Sequence, residues 1–275
     1  MKSITGAISI TRPVNCAITF VTVWGGGIIA GHYLYSPKFL LASISAALIT
    51  AYGNIINDIF DYNTDKLGKP HRPLVSGTIS RRVAIWLAII CLIAGNILSH
   101  FVSRYAFTLV SGVSVLLMIY TPLLKGRSYC GNLAVALAGS VAFIYGGMAT
   151  DEPLRTLIPA GFAFLIHLGR EIVKDIEDRE ADAAIGYRTG AVVNIMTARL
   201  LAIAVLLILA VATVMPYLMQ FYNRRYLLIV LLGCDTLIAL AILRLSRSTE
   251  PEVMKQVSFY LKLAMPFGLL AMLVG

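Results

Sequence analysis

A lipid bilayer dictates the length of whatever crosses it. Its hydrocarbon core is about 30 Å thick, so an α-helix rising through it needs about 20 mostly apolar residues. Nine runs of that kind recur along this chain, at about residues 14–34, 38–58, 83–103, 105–122, 128–149, 153–172, 191–214, 226–244 and 256–275. Hydrophobic residues make up 58% of the chain and charged residues only 13%, which excludes an ordinary soluble globule. The expected fold is an all-α integral membrane protein. It is a bundle of nine transmembrane helices forming a single domain over 1–275, with a cavity capped by the inside-facing loops 2-3 and 6-7.

The net charge of +9 raises the question of an anionic partner such as nucleic acid. The placement of the charges answers it. With the N-terminus inside, 18 Lys and Arg fall on inside loops and span ends and 5 on the outside. That asymmetry fits the positive-inside rule, so the basic charge is largely topological. No nucleic-acid surface and no protein partner is implied. The expected location is the cell membrane, multi-pass, with the N-terminus and the long loops cytoplasmic. No small-residue cleavage site follows Lys2 and Arg12, so no removable leader is expected.

Most prolines stand where spans should end: Pro13, Pro37, Pro122, Pro153, Pro216 and Pro251. Pro159 and Pro266 fall within spans, where neighbouring helices satisfy the freed carbonyls. Cys16, Cys91, Cys130 and Cys234 are scattered singly through apolar segments and read as packing residues. Two connections are long, at about 59–82 and 173–190, and both lie on the basic face. Long loops in a compact domain tend to be functional.

Into this apolar background the stretch NIINDIFDYNTDKLGKPHRPLVSG (54–77) brings Asp58, Asp61 and Asp65 at i, i+3 and i+7, on one side of a helix. The same spacing returns 117 residues later as Asp175, Asp178 and Asp182, within HLGREIVKDIEDREADAAIGYRTG (167–190). Nine of the fourteen carboxylates fall in these two stretches, both on the inside face. Like charges one turn apart repel, and an ionisable group near hydrocarbon costs about 2.5–3.5 kcal/mol on insertion scales. Something must neutralise them. Mg²⁺ is the simplest candidate, since it binds through one or two carboxylates plus substrate phosphate. Two stripes on facing helices would then hold a diphosphate through such ions. Lys69 and Arg72 follow the first stripe, Lys125 ends the stretch YTPLLK, and Arg170 and Lys174 precede the second stripe; each could reach oxygens the metal leaves free.

Asn57-Asp58…Asp61…Asp65 resembles the first signature of the UbiA-type intramembrane prenyltransferases, and Asp175…Asp178…Asp182 resembles the second. YTPLLK, Tyr120 to Lys125, is similar to that family's loop between spans four and five. Thr11-Arg12-Pro13 sits where the family places an arginine entering the first span. The resemblance covers essentially the whole chain. It implies transfer of an isoprenyl group from its diphosphate to an acceptor, with magnesium assisting ionisation to an allylic carbocation. It also implies Asp58, Asp61, Asp175 and Asp178 as catalytic metal ligands, with Asp65 and Asp182 in or near the same shell. Arg12, Asn54, Asn57, Lys69, Arg72, Tyr120, Lys125, Arg170 and Lys174 are the implied substrate contacts, Asn54 orienting a carboxylate or binding diphosphate.

The run HLGREIVKDIEDREAD resembles members that transfer a geranylgeranyl group to geranylgeranylglyceryl phosphate in archaeal-type ether lipid synthesis. Arg170 and Lys174, at i and i+4, would seat the acceptor's phosphate. Alternatives are an aromatic acceptor and, more distantly, a cation-coupled transporter, whose acids should sit near mid-span rather than at span ends. His167 is expected as a hydrogen-bonded interior residue and Asp235 as structural. The glycines at 25–27 and 146–147 read as close helix packing.

Overall fold

A computed structural model describes residues 2–31 and 33–275, without the side chains of residues 2, 3, 67 and 68. Helix α1 (Lys2–Ile10) precedes the first span and was not expected. The chain continues as α2 (Pro13–Gly31), α3 (Pro37–Phe60), α4 (Tyr62–Gly68), α5 (Arg81–Val102) and α6 (Arg104–Ile119), which runs on as a π-helical turn over Tyr120–Leu124. Next come β1 (Arg127–Ser128), α7 (Cys130–Met148), a 3₁₀ turn at Pro153–Thr156, α8 (Leu157–Glu177) and α9 (Arg179–Ala184). The remaining elements are β2 (Arg188–Thr189), α10 (Gly190–Val193), α11 (Ile195–Leu218), α12 (Arg224–Ile229), a π turn at Val230–Asp235, α13 (Thr236–Arg247) and α14 (Pro251–Val274). Among the described residues nine helical segments are long and apolar enough to cross a membrane, in register with the nine expected runs.

Local sequence sets the boundaries. Ser36, Ser80, Ser103, Asn194 and Asn223 each accept a backbone N–H with the side chain at the start of a helix. This satisfies donors that have no partner within the first turn. Span six continues to Glu177, five residues beyond its expected end, so Asp175 lies on the helix and not in the loop.

The chain forms two compact units. One runs through Leu123 and includes Ala142–Thr156; the other comprises Leu124–Val141 and Leu157–Gly275. In the first, α3 packs against α2 and α5 around Val23, Phe39, Ala42, Ile49 and Val110. A second cluster in that unit, Ile10, Ile55, Leu74, Ile79 and Ala88, fixes the loop after α4 beneath α1. Close backbone approach explains the glycine pairs: a Cβ on Gly146 would lie 2.1 Å from the Val23 carbonyl oxygen, and one on Gly26 would lie 2.6 Å from that of Phe143. The second unit is built on α8, α11, α13 and α14, around Ile172, Leu206, Ile238, Met254 and Leu261. Each unit carries one aspartate stripe.

Cys91 and Cys234 are buried and Cys16 is half-buried, as packing residues should be, whereas Cys130 at the start of α7 is exposed. His167 lies against Gly139, whose Cβ would meet the imidazole at 2.7 Å. It has no hydrogen-bond partner among the described residues, contrary to expectation. Asp235 ends the π turn, and the Thr213 hydroxyl lies 3.0 Å from its Oδ1, in keeping with a structural role.

Candidate active site

Neither stripe lies on one uninterrupted helix. In the first, α3 ends at Phe60 and α4 begins at Tyr62, with Asp61 between them at φ −78°, ψ 1°. In the second, α8 ends at Glu177 and α9 begins at Arg179, with Asp178 between them at φ −89°, ψ 5°. The middle aspartate of each triplet thus occupies the same sparsely populated bridge region of backbone space. The i→i−4 ladder nonetheless continues through both breaks. Asp61 N–H donates to the Asn57 carbonyl and Asp65 N–H to that of Asp61, both at 2.8 Å. Asp178 N–H donates to Lys174 at 2.8 Å and Asp182 N–H to Asp178 at 2.9 Å. The recurrence of spacing is therefore also a recurrence of backbone geometry.

The first stripe is buried: Asp58, Asp61 and Asp65 are 2%, 4% and 4% exposed. Three carboxylates out of water need opposite charge, and two guanidiniums reach Asp58 and Asp65. Arg12 and Arg72 both donate to Asp58 Oδ1, and Arg72 Nη1 also lies 3.8 Å from Asp65 Oδ2. Arg12 reaches there from the junction of α1 and α2 with φ at 52°, a left-handed conformation that is costly for a residue with a Cβ. Asn54 donates to the Thr11 carbonyl at 2.9 Å, so it fixes the turn that carries Arg12 rather than a carboxylate. Arg72 is returned by the turns after α4, where Lys69 N–H donates to Asp65 and Arg72 N–H to Lys69. The Lys69 side chain is exposed.

Burial pushes the Asp65 carboxyl above the usual carboxylate range, with Arg72 pulling the other way. Asp65 Oδ2 is buried without a hydrogen-bond donor. Asn57 accepts from the Thr121 hydroxyl at 2.6 Å, which ties α3 to the π turn containing Tyr120. Thr121 lies within the YTPLLK stretch, but the sequence singled out only Tyr120 and Lys125 there as site residues.

The second stripe is more open. Asp175 and Asp182 are half-buried and Asp178 is exposed. Among the described residues no arginine pairs with Asp175. Instead Asn132, only 4% exposed and on the first turn of α7, donates its amide to Asp175 Oδ2 at 3.0 Å, leaving its own Oδ1 buried without a partner. Asn132 is a second residue that the sequence did not mark. Arg170 and Lys174 both engage Glu171, at 3.1 and 3.0 Å, and so partly spend their charge within α8. Lys125 is half-buried in the same unit, one residue beyond the π turn.

The chemistry of both stripes suits a hard cation that brings its own phosphate ligands. All the donors are carboxylate or amide oxygens, the first set is buried, and Asp65 Oδ2 stands unbonded. Among the described residues no three acidic, histidine or cysteine side chains already converge as a cage. Mg²⁺ asks for no such cage, since one or two carboxylates, waters and phosphate oxygens complete its octahedron. The residues fit.

The chain is similar to several known proteins. The UbiA prenyltransferase family matches residues 18–264. The digeranylgeranylglyceryl phosphate synthase of Methanopyrus kandleri is 34% identical over 273 residues, covering 98% of each chain. A solved structure, described as giving structural and mechanistic insights into digeranylgeranylglyceryl phosphate synthase in membranes, matches with a TM-score of 0.85 at 30% identity. It covers 100% of this chain and 99% of that one. A UbiA homolog from Archaeoglobus fulgidus bound to GPP and Mg²⁺ shares the fold, with a TM-score of 0.68 at 18% identity over 97% of this chain and 99% of that one.

Proposed function

The chain belongs to the UbiA prenyltransferase family, and from that premise we propose that it transfers a geranylgeranyl group from geranylgeranyl diphosphate to geranylgeranylglyceryl phosphate. The observation that carries the reading is the pair of aspartate triplets, each broken at its middle residue in the same conformation. Sequence identity to a named digeranylgeranylglyceryl phosphate synthase over nearly the whole chain selects the lipid acceptor over an aromatic one. A transporter leaves both triplets, at span ends rather than mid-span, without a purpose.

The reaction breaks the C1–O bond of the donor and forms a C–O bond to the acceptor hydroxyl, whose proton departs. Diphosphate is released. A bound Mg²⁺ supplies positive charge where negative charge builds on that leaving group. Asp58, Asp61, Asp175 and Asp178 would hold it, with Asp65 and Asp182 in or near the same shell. Arg12, Lys69, Arg72, Lys125, Arg170 and Lys174 contact phosphate oxygens. Asn54 sets the turn that aims Arg12, Asn57 through Thr121 orders the π turn beside the first stripe, and Asn57 and Tyr120 contact substrate. We propose residues 1–275 as a single prenyltransferase domain.

The membrane location follows from the nine apolar helices. We place the N-terminus and both long loops on the cytoplasmic side, supported by the 18-to-5 division of basic residues. Single cysteines introduced in the loops at about 59–82 and 173–190 should label only from that side. To test the acceptor, purified protein is given labelled geranylgeranyl diphosphate with the glycerol ether phosphate or with aromatic acids. Product is expected on the ether. Product confined to an aromatic ring would overturn the acceptor assignment.

A further inference from the structure

The short strands β1 and β2 pair in parallel, with Arg127 opposite Arg188 and Ser128 opposite Thr189. Arg188 N–H donates to the Gly126 carbonyl at 2.9 Å. The ladder is locked from both ends by reciprocal packing. A Cβ on Gly126 would lie 2.8 Å from the Tyr187 ring, and one on Gly190 would lie 2.2 Å from that of Tyr129. Each strand's glycine therefore receives the other strand's tyrosine. Thr189 takes the covered face, at 2% exposure, while Arg127 and Arg188 are both exposed.

In-register residues of paired strands project to the same side, and like charges placed so are destabilising. Among the described residues neither arginine has an ion-pair partner. In this unit Arg170 and Lys174 are tied to Glu171, whereas the charges of Arg127 and Arg188 are uncompensated by any described acidic side chain. The ladder adjoins the second aspartate stripe: Tyr187 N–H donates to the Asp182 carbonyl at 2.9 Å, and α7, which carries Asn132, starts two residues after β1.

We propose that Arg127 and Arg188 form a clamp for the phosphate of a lipid-like molecule. Two guanidiniums side by side present the forked donors that a phosphate's oxygens accept, and an anion between them removes their repulsion. Within the proposed function the phosphate is that of the acceptor, and the assignment to substrate rests on that reading. The same chemistry is offered by an anionic membrane lipid, so the experiment separates the two sources.

Wild type, Arg127→Gln, Arg188→Gln, the double Gln variant and the double Lys variant are assayed in neutral detergent. Each is given donor with geranylgeranylglyceryl phosphate or with its unphosphorylated alcohol. The expected result is an acceptor KM raised about tenfold per lost arginine, with kcat and donor KM unchanged. The alcohol should be used equally by all forms, and the Lys variant should recover part of the loss. Thermal protection by the phosphorylated acceptor, measured without metal or donor, should weaken in parallel. Repeating the assay in vesicles with and without an anionic lipid identifies the other source: a defect seen only with that lipid supports the clamp and assigns it to membrane phosphate. Unchanged acceptor KM, thermal protection and lipid dependence in the double Gln variant would overturn the proposal. Failure of the prenyltransferase reading is separately visible, as wild type with no turnover on any acceptor.

Discussion

The two aspartate triplets share spacing and backbone but differ in how their charge is held. The first is sealed: all three carboxylates are buried, and Arg12 and Arg72 converge on Asp58 from two separate loops. The second is half-open, and its innermost member, Asp175, is held by the neutral amide of Asn132. A buried charge needs a full countercharge, whereas a partly solvated one is satisfied by a dipole and water. One geometry has thus been fitted with two electrostatic supports. The first ties metal-ligand geometry to the stability of the fold, and the second leaves them separate.

That contrast is most sharply tested by removing ligands. Asp58→Asn, Asp61→Asn, Asp175→Asn and Asp178→Asn should each lower kcat by about 10²–10³-fold, measured as Mg²⁺-dependent diphosphate release. Thermal unfolding should divide them. Asp58→Asn strands two guanidiniums and lowers the unfolding midpoint, while Asp178→Asn at its exposed position leaves it unchanged. Equal midpoints would break the comparison.

Asn132→Ala comes next in size. It should raise the Mg²⁺ concentration for half-maximal rate by about 10–100-fold, as loss of a ligand-orienting partner does elsewhere. Asn54→Ala, which acts on the Arg12 turn and touches no carboxylate, should shift that concentration less. Equal shifts would show that the two supports are of one kind.

Smaller again is the cost of removing cations. Arg72→Gln leaves Asp58 and Asp65 under-compensated and should destabilise the protein by about 2 kcal/mol, discounted from a fully buried pair because Arg72 is 18% exposed. Lys174→Gln, whose partner Glu171 retains Arg170, should cost under about 1 kcal/mol. Denaturation with EDTA present measures both.

The smallest effect concerns pH. Burial raises the Asp65 carboxyl in the folded protein, so on raising the pH the unfolded chain ionises first and the metal-free fold loses stability through that window. Asp65→Asn should therefore be the more stable form above the ordinary aspartate range, and the gain should vanish in more acid solution. A gain that persists at low pH would point to another cause.

The sequence displays the spans because bilayer thickness fixes their length, and the triplets because acids stand out against an apolar background. It conceals the break at Asp61 and Asp178, since the i→i−4 hydrogen bonds run through each break and leave the spacing intact. The partner of each charge was equally hidden. Arg12 meets Asp58 across 46 residues and Arg72 meets it across 14, and only the fold selects these pairings. The spacing of Arg170 and Lys174 did not disclose that both also pair with Glu171 on the same helix. The ladder joining residues 127–128 to 188–189 is too short for any periodic pattern to announce it.

We propose that metal–diphosphate binding requires both of these differently supported triplets. Bound Mn²⁺ measured by electron paramagnetic resonance, with a non-reacting geranylgeranyl thiodiphosphate as ligand, tests it without turnover. Wild type should retain Mn²⁺ strongly only when the analogue is present, and both Asp58→Asn and Asp175→Asn should lose that retention. Full analogue-dependent Mn²⁺ binding in either variant would contradict the account.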